Sequence, residues 1–195
     1  MKKPGPRHAH APAGEVRIIG GLWKRTKLPV ANKPGLRPTP DRVRETLFNW
    51  LGQDLTGWHC IDVFAGTGAL GFEAASRGAT EVRMVEQDPA LVQQLKTSQD
   101  RLKAHGVQII RGDGQIALQQ LAPASMSLVF LDPPFDAPLY EPALKAAVRV
   151  LRDEGLIYLE APKAWTDALL APWGLQVHRH LKAGAVHAHL LKRAA

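Results

Sequence analysis

Two short segments of this chain carry chemistry in their residue types and order. The first is Asp132-Pro133-Pro134-Phe135, directly after the apolar run Leu128-Val129-Phe130-Leu131. An amine conjugated to a nucleic-acid base is a poor nucleophile, because its lone pair is delocalised into the ring. Two acceptors in fixed directions, the Asp132 carboxylate and the Pro133 carbonyl, could bind its two hydrogens and favour a more tetrahedral nitrogen. Consecutive prolines stiffen the loop, and Phe135 offers a ring on which a flipped base can stack. Standing alone, the tetrapeptide is a proline-rich loop that ends a strand. The upstream sequence gives it more weight.

There, Asp62-Val63-Phe64-Ala65-Gly66-Thr67-Gly68-Ala69-Leu70-Gly71 lies where an apolar run gives way to a helical pattern. Glycines at such a turn let the backbone approach a ligand and aim amides at it from a helix N-terminus. Gly66-x-Gly68-x-x-Gly71, with Glu86 at the distance expected to hold a ribose, also fits a dinucleotide site. An NAD-dependent oxidoreductase would explain these glycines but leaves Asp132 to Phe135 unused. Asp62 would oppose a pyrophosphate, whereas it suits the ammonium of a methionine moiety, so S-adenosyl-L-methionine is the expected cofactor. Candidate contacts are Asp62, Phe64, Ala65, Gly66, Thr67 and Gly68. Glu86 and Gln87 follow at the end of the next strand for the ribose, and Asp113 with Gly114 come one strand further on for the adenine amino group. These acids fall at the carboxyl ends of successive strands, the edge at which open sheets bind ligands. Cys60, in a buried strand, is a poor nucleophile, and neither a covalent intermediate nor a metal is required.

The elements needed to hold these groups are legible as periodicity. From Trp58 onward, short apolar runs near 59–64, 81–86, 107–110, 127–131 and 155–160 alternate with amphipathic segments near 69–77, 89–104, 114–121, 141–152 and 164–170. The alternation predicts an α/β, doubly wound, mainly parallel sheet. Strands at 175–182 and 185–191, turning at Ala183-Gly184, add an antiparallel C-terminal hairpin and bring the sheet to seven strands. Ahead of the sheet, 15–19 and 22–30 predict a small basic hairpin turning at Gly20-Gly21. Thr39 is the expected N-cap of a following helix with Pro40 at its first position. We therefore divide the chain into a disordered basic tail (1–14), an N-terminal extension of hairpin and helix (15–52) and a catalytic domain (53–195).

Charge separates the same regions. Residues 1–60 carry eleven lysines and arginines against four acids, and the remainder carries fourteen of each. The excess of the first third suits a polyanionic partner. There is no long apolar run and no signal-like segment at the start, so a cytoplasmic protein away from membranes is expected. One cysteine excludes an internal disulfide and a cysteine-built zinc site. A monomer is the default.

These residues resemble the amino-group methyltransferases of nucleic acids, in which Asp or Asn, two prolines and an aromatic form the catalytic loop. More closely, residues from about 16 to 191 resemble the D-type methyltransferases of small-subunit (16S) ribosomal RNA. The resemblance is carried by Arg17-Ile18-Ile19-Gly20-Gly21, by Arg37-Pro38-Thr39-Pro40-Asp41-Arg42-Val43-Arg44-Glu45-Thr46-Leu47-Phe48-Asn49, by the glycine loop and by Asp132 to Phe135. It implies a Rossmann-like methyltransferase sheet and methylation of a guanine N2 in 16S rRNA, guanine 966 of that RNA, on an assembled or partly assembled small ribosomal subunit. It also places Arg37 and Thr39 against the cofactor pocket and gives RNA contacts to Arg17, Trp23, Lys24, Arg25, Lys27 and Arg42. Arg25-Thr26 departs from the family's usual Gly-Arg. A DNA adenine-N6 or cytosine-N4 methyltransferase would use the same loop, and a non-catalytic RNA-binding protein would keep the basic hairpin. Protein glutamine methyltransferases generally carry Asn where Asp132 stands. Finally, if the C-terminal hairpin has a two-residue loop at Ala183-Gly184, His180 faces His187 and His178 faces His189 on one side.

Overall fold

The protein is described by a computed structural model covering residues 14–135 and 138–194. The tail expected at 1–14 therefore lies outside the described residues except for Gly14. In chain order the elements are β1 (Gly14–Arg17), β2 (Lys27–Val30), α1 (Asp41–Trp50), β3 (His59–Asp62), α2 (Ala69–Ser76), β4 (Glu81–Glu86), α3 (Pro89–Leu102), β5 (Val107–Arg111), α4 (Gly114–Gln120), β6 (Met126–Leu131), α5 (Tyr140–Val150), β7 (Leu151–Ala161), α6 (Asp167–Leu170), β8 (Leu175–Ala183) and β9 (Val186–Arg193).

Seven strands form one sheet in the order β5-β4-β3-β6-β7-β9-β8. The first five are parallel, and β9 runs antiparallel between β7 and β8. The near-continuous apolar runs of the central strands follow from burial on both faces. Side chains alternate between two cores. Cys60, Leu128, Phe130 and Tyr158 point to one, shared with Phe48 of α1 and Phe72 of α2. Ile61, Val129, Leu131, Ile157 and Leu159 point to the other, shared with Leu118 of α4 and Leu144 of α5. Local signals start the helices: Asp88 accepts hydrogen bonds from the Ala90 and Leu91 amides with Pro89 at the first position of α3, and Asp113 does the same for α4. No helix among the described residues is long and apolar enough to cross a membrane.

Four expectations are corrected. The N-terminal strands are shorter, pairing Gly14 to Arg17 with Val30 to Lys27, so Trp23, Lys24 and Arg25 sit in a nine-residue connection and not on a strand. Gly20-Gly21 is no hairpin turn. It docks on α2: a Cβ at Gly21 (φ +73°) would lie 1.9 Å from the Ser76 carbonyl oxygen, and Leu22 N donates to that oxygen. Pro40, not Thr39, occupies the N-cap of α1 and offers no capping side chain, because the Thr39 hydroxyl is used elsewhere. The last hairpin pairs Ala183 with Val186 and His180 with His189, with an irregularity between Val177 and Arg179. That shift removes His178 from the histidine face.

Candidate active site

Three acids converge at the carboxyl ends of adjacent central strands. In the sheet, Asp62 pairs with Phe130, Phe130 with Tyr158, and Leu131 with Leu159. By alternation Asp132 and Glu160 come next on the face that holds Phe130 and Tyr158, and Asp62 shares that face. Asp62 and Glu160 are buried, and no cationic side chain among the described residues pairs with any of the three. Burial and mutual repulsion therefore disfavour their charged forms. Burial pushes the Asp62 carboxyl up to about 7, opposed by the Gly71 amide and assisted by the charge of Glu86. Asp132 is held well above the usual carboxylate range, first by burial and then by the charges of Glu160 and Asp62. Glu160 is raised by burial, with hydrogen bonds from Thr39 and Tyr158 opposing.

Asp62 retains a buried Oδ1 with no partner among the described residues, while its Oδ2 accepts from Gly71 N at 3.2 Å. A buried carboxylate oxygen left over beside other acids fits a cationic group, which the ammonium and sulfonium of S-adenosylmethionine would both supply. The glycine loop lies beside it. Gly68 takes φ +79° at the N-cap of α2, and a Cβ there would lie 2.6 Å from Leu95, so this turn requires glycine. Ala65 N donates to the Val85 carbonyl, Thr67 is buried, and Phe64 is partly buried against the second core.

Glu86 stands where a ribose ligand was expected, and its carboxylate also ties the loop together: Oε2 accepts from Gly66 N and Oε1 from Asp88 N, both at 2.9 Å. Asp113 is brought next to Gln87, whose amide donates to its Oδ2 at 3.1 Å. Its Oδ1 caps α4, and Gly114 packs on the Val63 backbone. These groups share one edge of the sheet, although much of their polar capacity is already committed within the protein.

In the loop from Asp132 to Phe135, Pro133 is buried, and Pro134 and Phe135 are exposed. Phe135 keeps 38% of its surface accessible, as a stacking platform must. Two tyrosines and one acid were not singled out in the sequence. Tyr158 donates to Glu160 Oε1 at 2.8 Å, and Thr39 donates to the same oxygen at 2.5 Å. Tyr140 has a buried hydroxyl with no partner among the described residues, and the charges of Asp132 and Glu160 help burial to raise its pKa. A usable signal existed: Tyr158 and Glu160 are two polar residues, spaced for one face, at the end of an otherwise apolar run.

The N-terminal extension packs against the glycine loop and the acid cluster from one face. Leu36 reaches within 3.2 Å of the position a Cβ would take at Gly66, and Thr39 reaches Glu160 on β7. Lys33 pairs with Asp88. Glu73, buried in the middle of α2, accepts from Ile19 N and Gly20 N, both at 2.8 Å, from Arg44 Nη1 at 3.1 Å and from Arg77 Nε at 3.0 Å. Of the basic candidates, Arg37, Arg42, Lys24 and Arg25 are exposed and Trp23 is half-buried. Arg17 pairs with Asp41, and Lys27 with Glu15.

Elsewhere, burial pushes the Cys60 thiol up to about 12, unsuited to nucleophilic work. His180, His187 and His189 bring ring nitrogens within 4.8 Å of one another. His189, however, accepts from Trp165 N at 3.0 Å and contacts the Leu159 carbonyl through Nδ1 at 3.2 Å, so both of its nitrogens are engaged and it is a poor metal ligand as arranged.

A family model described as Conserved hypothetical protein 95 matches residues 16–192. Ribosomal RNA small subunit methyltransferase D of Escherichia coli K12 is 42% identical over 198 aligned positions, covering 100% of this chain and 96% of the relative. The protein of the same name from Haemophilus influenzae is 45% identical over 155 positions, 77% of this chain and 80% of the relative. The solved structure of yhhF from Escherichia coli superposes with a TM-score of 0.80 at 39% identity, over 93% of this chain and 99% of that one. With its matched length, its seven-stranded sheet and three acids gathered at the carboxyl ends of the central strands, the chain belongs to the small-subunit ribosomal RNA methyltransferase D family.

Proposed function

We propose that this protein transfers a methyl group from S-adenosylmethionine to the exocyclic N2 of a guanine in 16S ribosomal RNA, within an assembled or partly assembled small subunit. The observation that carries the reading is the placement of Asp132, on a loop stiffened by Pro133 and Pro134, beside Asp62 with its unpartnered buried oxygen. The names of the aligned relatives support ribosomal RNA as the substrate; the chemistry of the loop supports an amine as the acceptor.

Asp62 would hold the ammonium of the cofactor, the glycine loop its methionine end, Glu86 and Gln87 its ribose, and Asp113 and Gly114 its adenine. When bound, S-adenosylmethionine supplies an electrophilic methyl; the base nitrogen gains it and releases one proton, leaving a neutral thioether. Asp132 and the Pro133 carbonyl hold the two amine hydrogens and stabilise positive charge as it develops on nitrogen. Phe135 supports the flipped base by stacking. Residues 15–52 act as the RNA-contacting extension, with Trp23, Lys24, Arg25 and Lys27 near its tip and Arg17 and Arg42 beside it.

The test is transfer of radiolabelled methyl to small subunits lacking the modification, beside naked DNA, with Asp132→Ala as control and nucleoside digestion of the product. Label recovered as N2-methylguanosine and lost in the variant supports the reading. Label in DNA, or in another nucleoside, overturns it.

A further inference from the structure

Glu160 is a buried carboxylate that neither the cofactor contacts nor the amine-holding loop accounts for. Its position is informative. In the strand order β4-β3-β6-β7, the groups suited to the cofactor lie on the β3 and β4 side of Asp132, whereas Glu160 ends β7 on the opposite side. The Leu131–Leu159 register sets Asp132 and Glu160 side by side on one face of the sheet. A base delivering its amine to Asp132 must therefore present the rest of its hydrogen-bonding edge toward Glu160.

The carboxyl is clamped by one oxygen only. Oε1 accepts from the Thr39 and Tyr158 hydroxyls, while Oε2 accepts from no described residue. Both clamping donors are neutral, so the charge is oriented without being cancelled. Unlike Asp62 Oδ1, Oε2 is not among the fully enclosed oxygens, so an incoming donor can reach it. A donor arriving at Oε2 would favour the charged form that burial disfavours.

Among the amino-bearing bases, guanine alone places a donor, N1–H, next to its exocyclic amine. Adenine and cytosine place a ring-nitrogen lone pair there, which would face a carboxylate acceptor to acceptor. Two adjacent carboxylates thus match the consecutive donors of guanine. The Tyr140 hydroxyl, without a partner among the described residues, is a candidate donor to O6.

We propose that Glu160, clamped by Thr39 and Tyr158 beside Asp132, accepts the N1–H of the target guanine and selects guanine over other amino-bearing bases. This rests on the guanine-N2 reading above and adds a specificity-determining residue to it.

The test replaces the target guanine, in otherwise identical reconstituted small subunits, with 2-aminopurine, which keeps the 2-amino group but offers a lone pair at N1. The wild-type protein should prefer guanine by at least tenfold in kcat/KM. Glu160→Gln, whose amide can donate to that lone pair, should lose about 10- to 100-fold on guanine and little on 2-aminopurine, so the preference collapses. Affinity for S-adenosylmethionine, measured by calorimetry, should stay within about twofold. Equal losses on both substrates, with the preference intact, would show Glu160 to be merely structural. Equal wild-type rates on the two substrates overturn the proposal without any variant, even if Glu160→Gln does not fold. If wild-type protein does not methylate guanine N2 at all, the parent reading fails instead, and that outcome is seen before any comparison of bases.

Discussion

Arg44 and Glu73 meet with neither side chain exposed to solvent, Nη1 of the arginine donating to Oε2 of the glutamate at 3.1 Å. The pair joins α1 to α2. Because Glu73 also accepts from the Ile19 and Gly20 amides and from Arg77, one carboxylate fastens the N-terminal extension to the helix that follows the glycine loop. Its lone pairs are fully used, which is what makes a buried charge tolerable.

Removing that carboxylate leaves the Ile19 and Gly20 amides without an acceptor and strips Arg44 and Arg77 of the buried charge that they share, although each keeps other hydrogen bonds. Glu73→Ala should cost about 3–5 kcal/mol in denaturant unfolding. It should also expose the chain near Gly20 to proteolysis before the sheet unfolds. A loss below about 1 kcal/mol would mean that the extension is held mainly by its apolar contacts.

Asp62 predicts a proton linked to the cofactor. Its carboxyl is raised to about 7 in the folded protein from 3.8, so the folded state holds a proton that the unfolded state has lost. Stability of the ligand-free protein should therefore fall as pH climbs through that window and level off above about 7, by on the order of 4 kcal/mol at most. A cationic ligand reverses the preference, so S-adenosylmethionine should bind with proton release near pH 6.5. Calorimetry in buffers of different ionisation enthalpy measures this. Asp62→Asn should abolish the release, weaken binding and make the ligand-free protein more stable at pH 8.

Arg25 adopts φ +71°, a left-handed conformation that an L side chain pays for and glycine does not. It is also the position at which this sequence departs from the family's usual glycine. Arg25→Gly should leave stability unchanged or raise it by up to about 1 kcal/mol, since relief of strain is partly offset by the greater freedom of glycine when unfolded. Affinity for the small subunit should fall, with a shallower salt dependence, if the guanidinium touches phosphate. Thermal unfolding and filter binding across a salt series measure the two effects separately.

Phe135 belongs to neither core cluster and keeps 38% of its surface accessible, so Phe135→Ala should cost no more than about 1 kcal/mol of stability. Loss of a stacking platform should lower kcat/KM for subunit methylation by about tenfold or more, with cofactor affinity unchanged. Phe135→Tyr should retain most activity. Wild-type rates in Phe135→Ala would remove it from the base-binding role.

What the sequence by itself determined was whatever is written in consecutive residues. Apolar runs alternating with amphipathic segments specified the strands and helices of the sheet to within a few residues, because period and burial are local properties. The glycine loop and Asp132 to Phe135 were legible for the same reason: each is a contiguous piece of backbone whose stiffness or close approach is encoded in neighbouring side chains. Only the tertiary structure decided the rest. Glu160 joins Asp132 through the register of β6 on β7, which no local pattern specifies, and Thr39 leaves its expected capping role because a buried carboxylate 121 positions away is the stronger claimant on its hydroxyl. Gly20-Gly21 has the residue types of a hairpin turn, but its glycines are required because α2 occupies the space a side chain would need. The histidine face lost His178 to a one-residue irregularity between β8 and β9. In each case the deciding interaction joins residues distant in sequence, and a side chain's partner is chosen by what the folded chain leaves unsatisfied beside it.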